Sequence, residues 1–208
     1  PVNVILEDPT HEDIIYAGGI RGVYVSIDRG TTWSYLGNQM PAAAIADLEI
    51  HTGNMDLVAA THGRGIYKIN LQPIQMMVQQ KLPPGINHFF APEPAKRPWF
   101  NSSGGEADFR TLEKVSFCIW LSREQKVTLS IQDTIGKEVW KTTFNGHRGF
   151  NQFRWDLVLE KQTSDEPYFI HYDKFIEAGI YSAKLTLEGE NMEHPFTVVQ
   201  GGSPYLVK

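Results

Sequence analysis

Asp13-Ile14-Ile15-Tyr16-Ala17-Gly18-Gly19-Ile20-Arg21-Gly22-Val23-Tyr24 recurs as Asp56-Leu57-Val58-Ala59-Ala60-Thr61-His62-Gly63-Arg64-Gly65-Ile66-Tyr67, an offset of 43 residues. This repeat constrains the fold of the chain more than any other feature. Each copy reads as an apolar strand, a glycine-containing turn and a second apolar strand. A further strand-like stretch precedes each copy, at Val2 to Glu7 and at Ala44 to Ile50. Two short strand-rich units of equal length must therefore lie in succession before about Leu71, where the repeat stops.

A period of about 40 to 45 residues suits one four-stranded blade of a β-propeller. Between the two copies lies Ser26-Ile27-Asp28-Arg29-Gly30-Thr31-Thr32-Trp33, in which Ser26, Asp28, Gly30 and Trp33 follow the spacing S-x-D-x-G-x-x-W. A tight hairpin explains each residue type. The Asp28 carboxylate accepts backbone N–H groups one to three residues on. Gly30 supplies a φ that other residues resist. Trp33 is expected to pack its ring under the hairpin. All four are explained by folding, so the octapeptide marks a fold and not an active site.

This octapeptide resembles the Asp-box, also called the BNR repeat, of sialidase-like and sortilin-like β-propellers. The resemblance implies that residues 1–71 form the last one or two blades of a propeller. In that family Thr61-His62-Gly63-Arg64-Gly65 is similar to a segment of the final blade. Its functional reading places Arg21, His62 and Arg64 as polar residues facing the propeller centre. Its architectural reading is a tight turn between inner strands, favoured because the turn recurs in both copies.

Beyond Leu71 the pattern changes. Pro73 to Gln80 reads as a short helix, with Pro73 in its first turn and Ile74, Met77 and Val78 on one face. Lys81 to Pro98 holds six prolines and glycines and reads as a linker, making 72–98 a connecting segment. Within it His88-Phe89-Phe90 is expected to form a short edge strand. Strands are then expected at Val115 to Leu121, Val127 to Gln132, Lys137 to Phe144, Asn151 to Leu157, Gly179 to Leu187 and His194 to Val199, with turns at Asp133 to Gly136 and Gly146 to Gly149. This spacing suggests a β-sandwich over 99–200, followed by a tail at 201–208. The fold class expected is thus all-β.

Ile131 to Val139, Gly149-Phe150-Asn151, Trp155-Asp156 and Ala178-Gly179-Ile180-Tyr181 together resemble the Ig-like, fibronectin III-like module of the flagellar hook-capping protein and of many secreted bacterial enzymes. Ala178 stands where that family usually has proline, and an insertion from Val158 to Phe175 follows Trp155-Asp156. The order of propeller end, linker and Ig-like domain resembles the C-terminal portion of large secreted BNR-repeat, glycosyl-hydrolase-like proteins of the sortilin-like group. That resemblance implies a secreted or periplasmic bacterial protein. It also implies partners in upstream blades of the same protein, with self-association through exposed strand edges as another outcome. A chain opening at Pro1 in a strand-like pattern, with no leader, is expected to be a fragment.

The chemistry expected is sparse. A glycosidase needs two carboxylates about 5–10 Å apart, and no pair stands out among the 24 Asp and Glu residues. Asp28 belongs to the hairpin, and Asp156 reads as a turn or strand-end cap. The seven histidines, His11, His51, His62, His88, His147, His171 and His194, show no metal-ligand spacing, and the pairing of His171 with Asp173 supplies only two ligands. No metal and no cofactor is expected. A net charge of −5 without clustered Lys and Arg argues against nucleic acid, and no apolar run reaches the length of a membrane span. Cys118, the one cysteine, lies in an apolar run and reads as a buried thiol.

Among the aromatics, Trp120, Trp140 and Trp155 are expected in the core, and Trp99, beside the prolines, as an exposed ring suited to a sugar. The chain is therefore read as a non-catalytic piece whose sandwich serves as a structural or interaction module for a carbohydrate or protein ligand. Alternatives are a contribution by Arg21, His62 and Arg64 to a glycosidase site of the whole protein, and a sortilin-like peptide-binding propeller.

Overall fold

The computed structural model describes residues 1–97, 114–160 and 174–201. Their architecture is all-β, with one helix. The first repeat forms β1 (Val2–Glu7), β2 (Ile15–Gly19), β3 (Gly22–Ser26) and β4 (Ser34–Leu36), an antiparallel meander in that order. The second forms β5 (Ile45–His51), β6 (Asp56–Thr61) and β7 (Ile66–Asn70), again an antiparallel meander. The repeat extends to an irregularity of pairing. The β1–β2 register slips between Val2 and Val4, and the β5–β6 register slips between Ile45 and Asp47, the same two positions one repeat later. Where a fourth strand would follow β7, the chain instead forms α1 (Gln72–Gln79), so the second copy has three strands.

The two copies share one core. Tyr16, Val23, Val25, Ile45, Leu48 and Leu57 are buried together with Ile74 and Met77 of α1 and with Phe90, Trp120 and Phe150. The predicted helical face of Ile74, Met77 and Val78 faces this cluster, with Val78 only partly buried. β5 comes so close to β2 that a Cβ placed on Gly18 would lie 2.6 Å from both Ile45 Cγ2 and Val4 Cγ1. Asn3 Nδ2 donates to the Ile45 carbonyl at 2.9 Å beside this point. Cys118 is half-buried against the cluster, with the Gln152 amide 3.9 Å from its sulfur.

The remaining elements are β8 (His88–Phe89), β9 (Ala95–Arg97), β10 (Val115–Leu121), β11 (Gln125–Gln132), β12 (Glu138–Gly146), β13 (Gly149–Trp155), β14 (Val158–Glu160), β15 (Lys174–Phe175), β16 (Gly179–Leu187) and β17 (Glu190–Gln200). The first meander continues into a seven-stranded sheet of order β1-β2-β3-β4-β13-β10-β8. Its β4–β13 junction is parallel, with Gly149 opposite Tyr35 and Phe150 opposite Leu36. A five-stranded sheet has the order β12-β11-β16-β17-β9. Asp133 closes the β11–β12 turn by accepting the Ile135 and Lys137 N–H groups at 3.0 and 2.9 Å.

The chain divides into two compact units. Unit 1 contains 1–90, 118–126 and 145–152; unit 2 contains 91–117, 127–144 and 153–208. These differ from the 1–71 and 99–200 expected from the repeat and the strand spacing, because segments around β10 and β13 pair with strands far away in sequence. The stretch read as a linker is also more regular than its prolines suggest. Ala95-Lys96-Arg97 form an edge strand pairing in parallel with Val198-Val199-Gln200, and Pro94 sits just before it, where no ladder N–H is lost. β14 and β15 pair across the insertion after Asp156; Asp165, Glu166, Tyr168, His171, Tyr172 and Asp173 lie outside the described residues.

The contact at Gly18 yields a stability prediction. Gly18→Ala pushes a methyl into Ile45 and Val4 and is expected to destabilise the chain by about 1–3 kcal/mol. Urea unfolding measures this. A loss under about 0.5 kcal/mol would mean that the two meanders do not meet as closely as described.

Candidate functional site

The Ser26–Trp33 turn is built by its own side chains. Asp28 Oδ1 accepts the Ser26 hydroxyl at 2.7 Å and the Thr32 N–H at 2.8 Å, and Oδ2 accepts the Thr32 hydroxyl at 2.6 Å. Ser26 Oγ in turn accepts the Gly30 N–H at 2.8 Å. Asp28 thus reaches four residues ahead, one further than the sequence suggests, because Arg29 and Gly30 both take left-handed φ values, 56° and 84°. Trp33 does not pack under the hairpin. It remains 38% exposed and lies across the turn, its indole N–H donating to the Gly30 carbonyl at 3.1 Å. Arg29 anchors the turn to the β1–β2 loop through ion pairs with Glu12 and Asp13.

Partial burial raises the Asp28 pKa, but hydrogen bonds from the Thr32 hydroxyl, the Thr32 N–H and the Ser26 hydroxyl outweigh it, so the carboxyl lies below its ordinary range. Both oxygens of this carboxylate accept hydrogen bonds from within the turn, which ties Asp28 to closing it.

Arg21, His62 and Arg64 sit on the β2–β3 and β6–β7 turns. The two turns occupy the same end of unit 1. The His62 N–H donates to the Ala44 carbonyl at 2.9 Å, next to Ile45, which lies against Gly18 and accepts Asn3. The turns differ in length, however. Gly19 pairs with Gly22 around two residues, whereas the Thr61 N–H bonds to the Gly65 carbonyl at 3.1 Å around three. The recurring glycine and arginine spacing therefore conceals two distinct turns. All three side chains are exposed, and among the described residues none of them forms a side-chain hydrogen bond or an ion pair. They form no assembled acid–base constellation.

A buried polar cluster lies elsewhere in unit 1 and was not singled out by sequence. Asp8 accepts the Tyr16 hydroxyl at 2.9 Å, the Gln75 amide at 2.9 Å, the Thr10 N–H and hydroxyl at 2.9 and 2.8 Å, and the His11 N–H at 3.1 Å. Burial pushes its pKa up, yet bonds from Gln75, Thr10 and Tyr16 prevail and hold the carboxyl below the ordinary range. Burial and the facing Asp8 charge drive the Tyr16 phenol pKa well upward. Only the Asp-x-Thr spacing at 8–10 hinted at this loop, and nothing local in sequence indicated Gln75.

Unit 2 contains a cleft of about 320 Å³ whose described lining residues are Trp140, Phe153, Trp155, Lys114, Arg154 and Asp156, together with Val158 and Leu159. Trp155 is buried as expected, but Trp140 is only half-buried and stacks on Trp155 at the cleft. Trp99 lies outside the described residues. Among the described residues no group of three or more His, Cys, Asp or Glu side chains could hold a metal ion, and no helix is long and apolar enough to cross a membrane. No family model and no curated protein matches the chain.

The depressed Asp8 and Asp28 pKa values set the direction of a pH effect. Their stabilising contribution is complete above the unfolded-state value of about 3.9 and is lost as pH falls through the lower folded-state values. Melting temperature is therefore expected to fall steeply below about pH 4, with a shallower fall in Asp8→Asn; thermal unfolding by circular dichroism between pH 7 and 2.5 tests this. At pH 7, Asp8→Ala strands the buried Tyr16 and Gln75 donors and is expected to destabilise by about 3 kcal/mol, while an undiminished stability would contradict the network.

Proposed function

We propose that this chain is a non-catalytic part of a secreted BNR-repeat, glycosyl-hydrolase-like protein. In this reading unit 1 carries closing blades of a β-propeller, and unit 2 is an Ig-like sandwich serving as a structural or interaction module. The single observation that carries the reading is the 43-residue repeat of a β-meander whose register slip recurs at the same position, with the Ser-Asp-Gly-Trp turn closed by its own side chains.

β1 ends the seven-stranded sheet and exposes Val2 and Ile5, a pairing template for upstream blades of the same protein or for a second copy. A second reading, contribution to a glycosidase site of a longer protein, draws on the placement of Arg21, His62 and Arg64 at one end of unit 1.

Incubation of the chain with a panel of 4-nitrophenyl glycosides is expected to release no nitrophenol above buffer. Turnover that falls at least about tenfold in Arg64→Ala or His62→Ala would overturn the non-catalytic reading and favour the second one.

A further inference from the structure

The geometry points to the Trp140 cleft of unit 2 as a binding site for a carboxylated sugar. The site stands on unit 2 alone, so it does not depend on the reading of unit 1 as propeller blades.

Its floor is a braced aromatic stack. Trp140 and Trp155 lie with ring centroids 4.4 Å apart and planes at 24°. Phe153 is 5.8 Å from Trp140, and Phe144 stacks on Phe153 at 5.5 Å and 15°. Trp155 is fixed by its N–H bond to the Val158 carbonyl at 3.1 Å, and the left-handed Leu157, φ 65°, turns the chain back to make that bond. Trp140 thus rests on a buried partner while part of its ring remains at the surface. A supported indole loses little conformational freedom when a ligand covers it, and its negative π-face attracts the polarised C–H face of a pyranose ring.

The rim decides the sugar class. Lys114 and Arg154 are exposed and form no ion pair among the described residues. Asp156 is the one carboxylate among the described lining residues, and its Oδ1 accepts the Val158 N–H at 3.3 Å. In a chain of net charge −5, the described lining residues of this cleft bring two cations to one carboxylate. Lys and Arg are donors only, and a guanidinium fork matches a carboxylate. An aromatic floor for ring stacking beneath donors for a carboxylate fits a uronic-acid-type sugar better than a neutral one. The cleft volume of about 320 Å³ lies at the small end of ligand sites, about 300–1,000 Å³, which suits a short saccharide.

The test is titration of the full chain with digalacturonate, with its dimethyl ester and with penta-glutamate, followed by tryptophan fluorescence and calorimetry. Digalacturonate is expected to change the fluorescence, to weaken as salt rises and to bind more tightly than both other probes. Trp140→Ala is expected to lose at least about tenfold in affinity. Arg154→Gln, an exposed change that leaves the fold intact, is expected to weaken digalacturonate by about tenfold and to leave the ester unchanged. No binding of digalacturonate, equal binding of the ester or of penta-glutamate, or an affinity indifferent to Arg154→Gln would overturn the proposal.

Discussion

A buried carboxylate organises unit 1. The side chain of Asp8 is fully shielded from solvent, and a charge in that position is tolerated only when donors replace the lost water. Tyr16 of β2, Thr10 and His11 of its own loop and Gln75 of α1 supply them. The Gln75 bond spans 67 residues and links the start of the first meander to the helix that follows the second. An eight-residue helix is too short to persist alone, so α1 depends on this bond and on the burial of Ile74 and Met77. Through α1 the two repeats come to share one core.

The same dependence explains what could be read from sequence. The repeat, the strand pairs inside each copy and the apolar face of α1 were legible because periodicity and glycine spacing are local signals. The parallel β4–β13 junction was not, since nothing in Tyr35-Leu36 points to Gly149-Phe150 more than a hundred residues later. β9 was hidden by the prolines flanking Ala95-Lys96-Arg97. Gln75 lies on the helix as an ordinary polar residue, and only the fold reveals that it is 6% exposed and bonded to Asp8.

At the candidate sites the limits are similar. The residue types of the Ser26–Trp33 turn announced a closed hairpin, although Trp33 covers it from outside. Arg21 and Arg64 matched in sequence position, but an extra residue in the second turn separates their local geometries. Trp140 and Trp155 alternate into strands like core residues, and the strand pattern carries no sign that one of them is only half-buried beside Lys114 and Arg154. Unit 1 devotes its distinctive side chains to closing turns and neutralising a buried charge, whereas unit 2 holds aromatic and charged groups in a cleft.

The central claim is that the two repeats form one cooperative body through a shared core. Native-state hydrogen exchange measures this directly. The slowest amides of β2 and β6 are expected to open with the same free energy and the same denaturant dependence, and both are expected to be lowered together by Asp8→Asn. Exchange of β6 at its own lower free energy, unaffected by Asp8→Asn, would contradict the account.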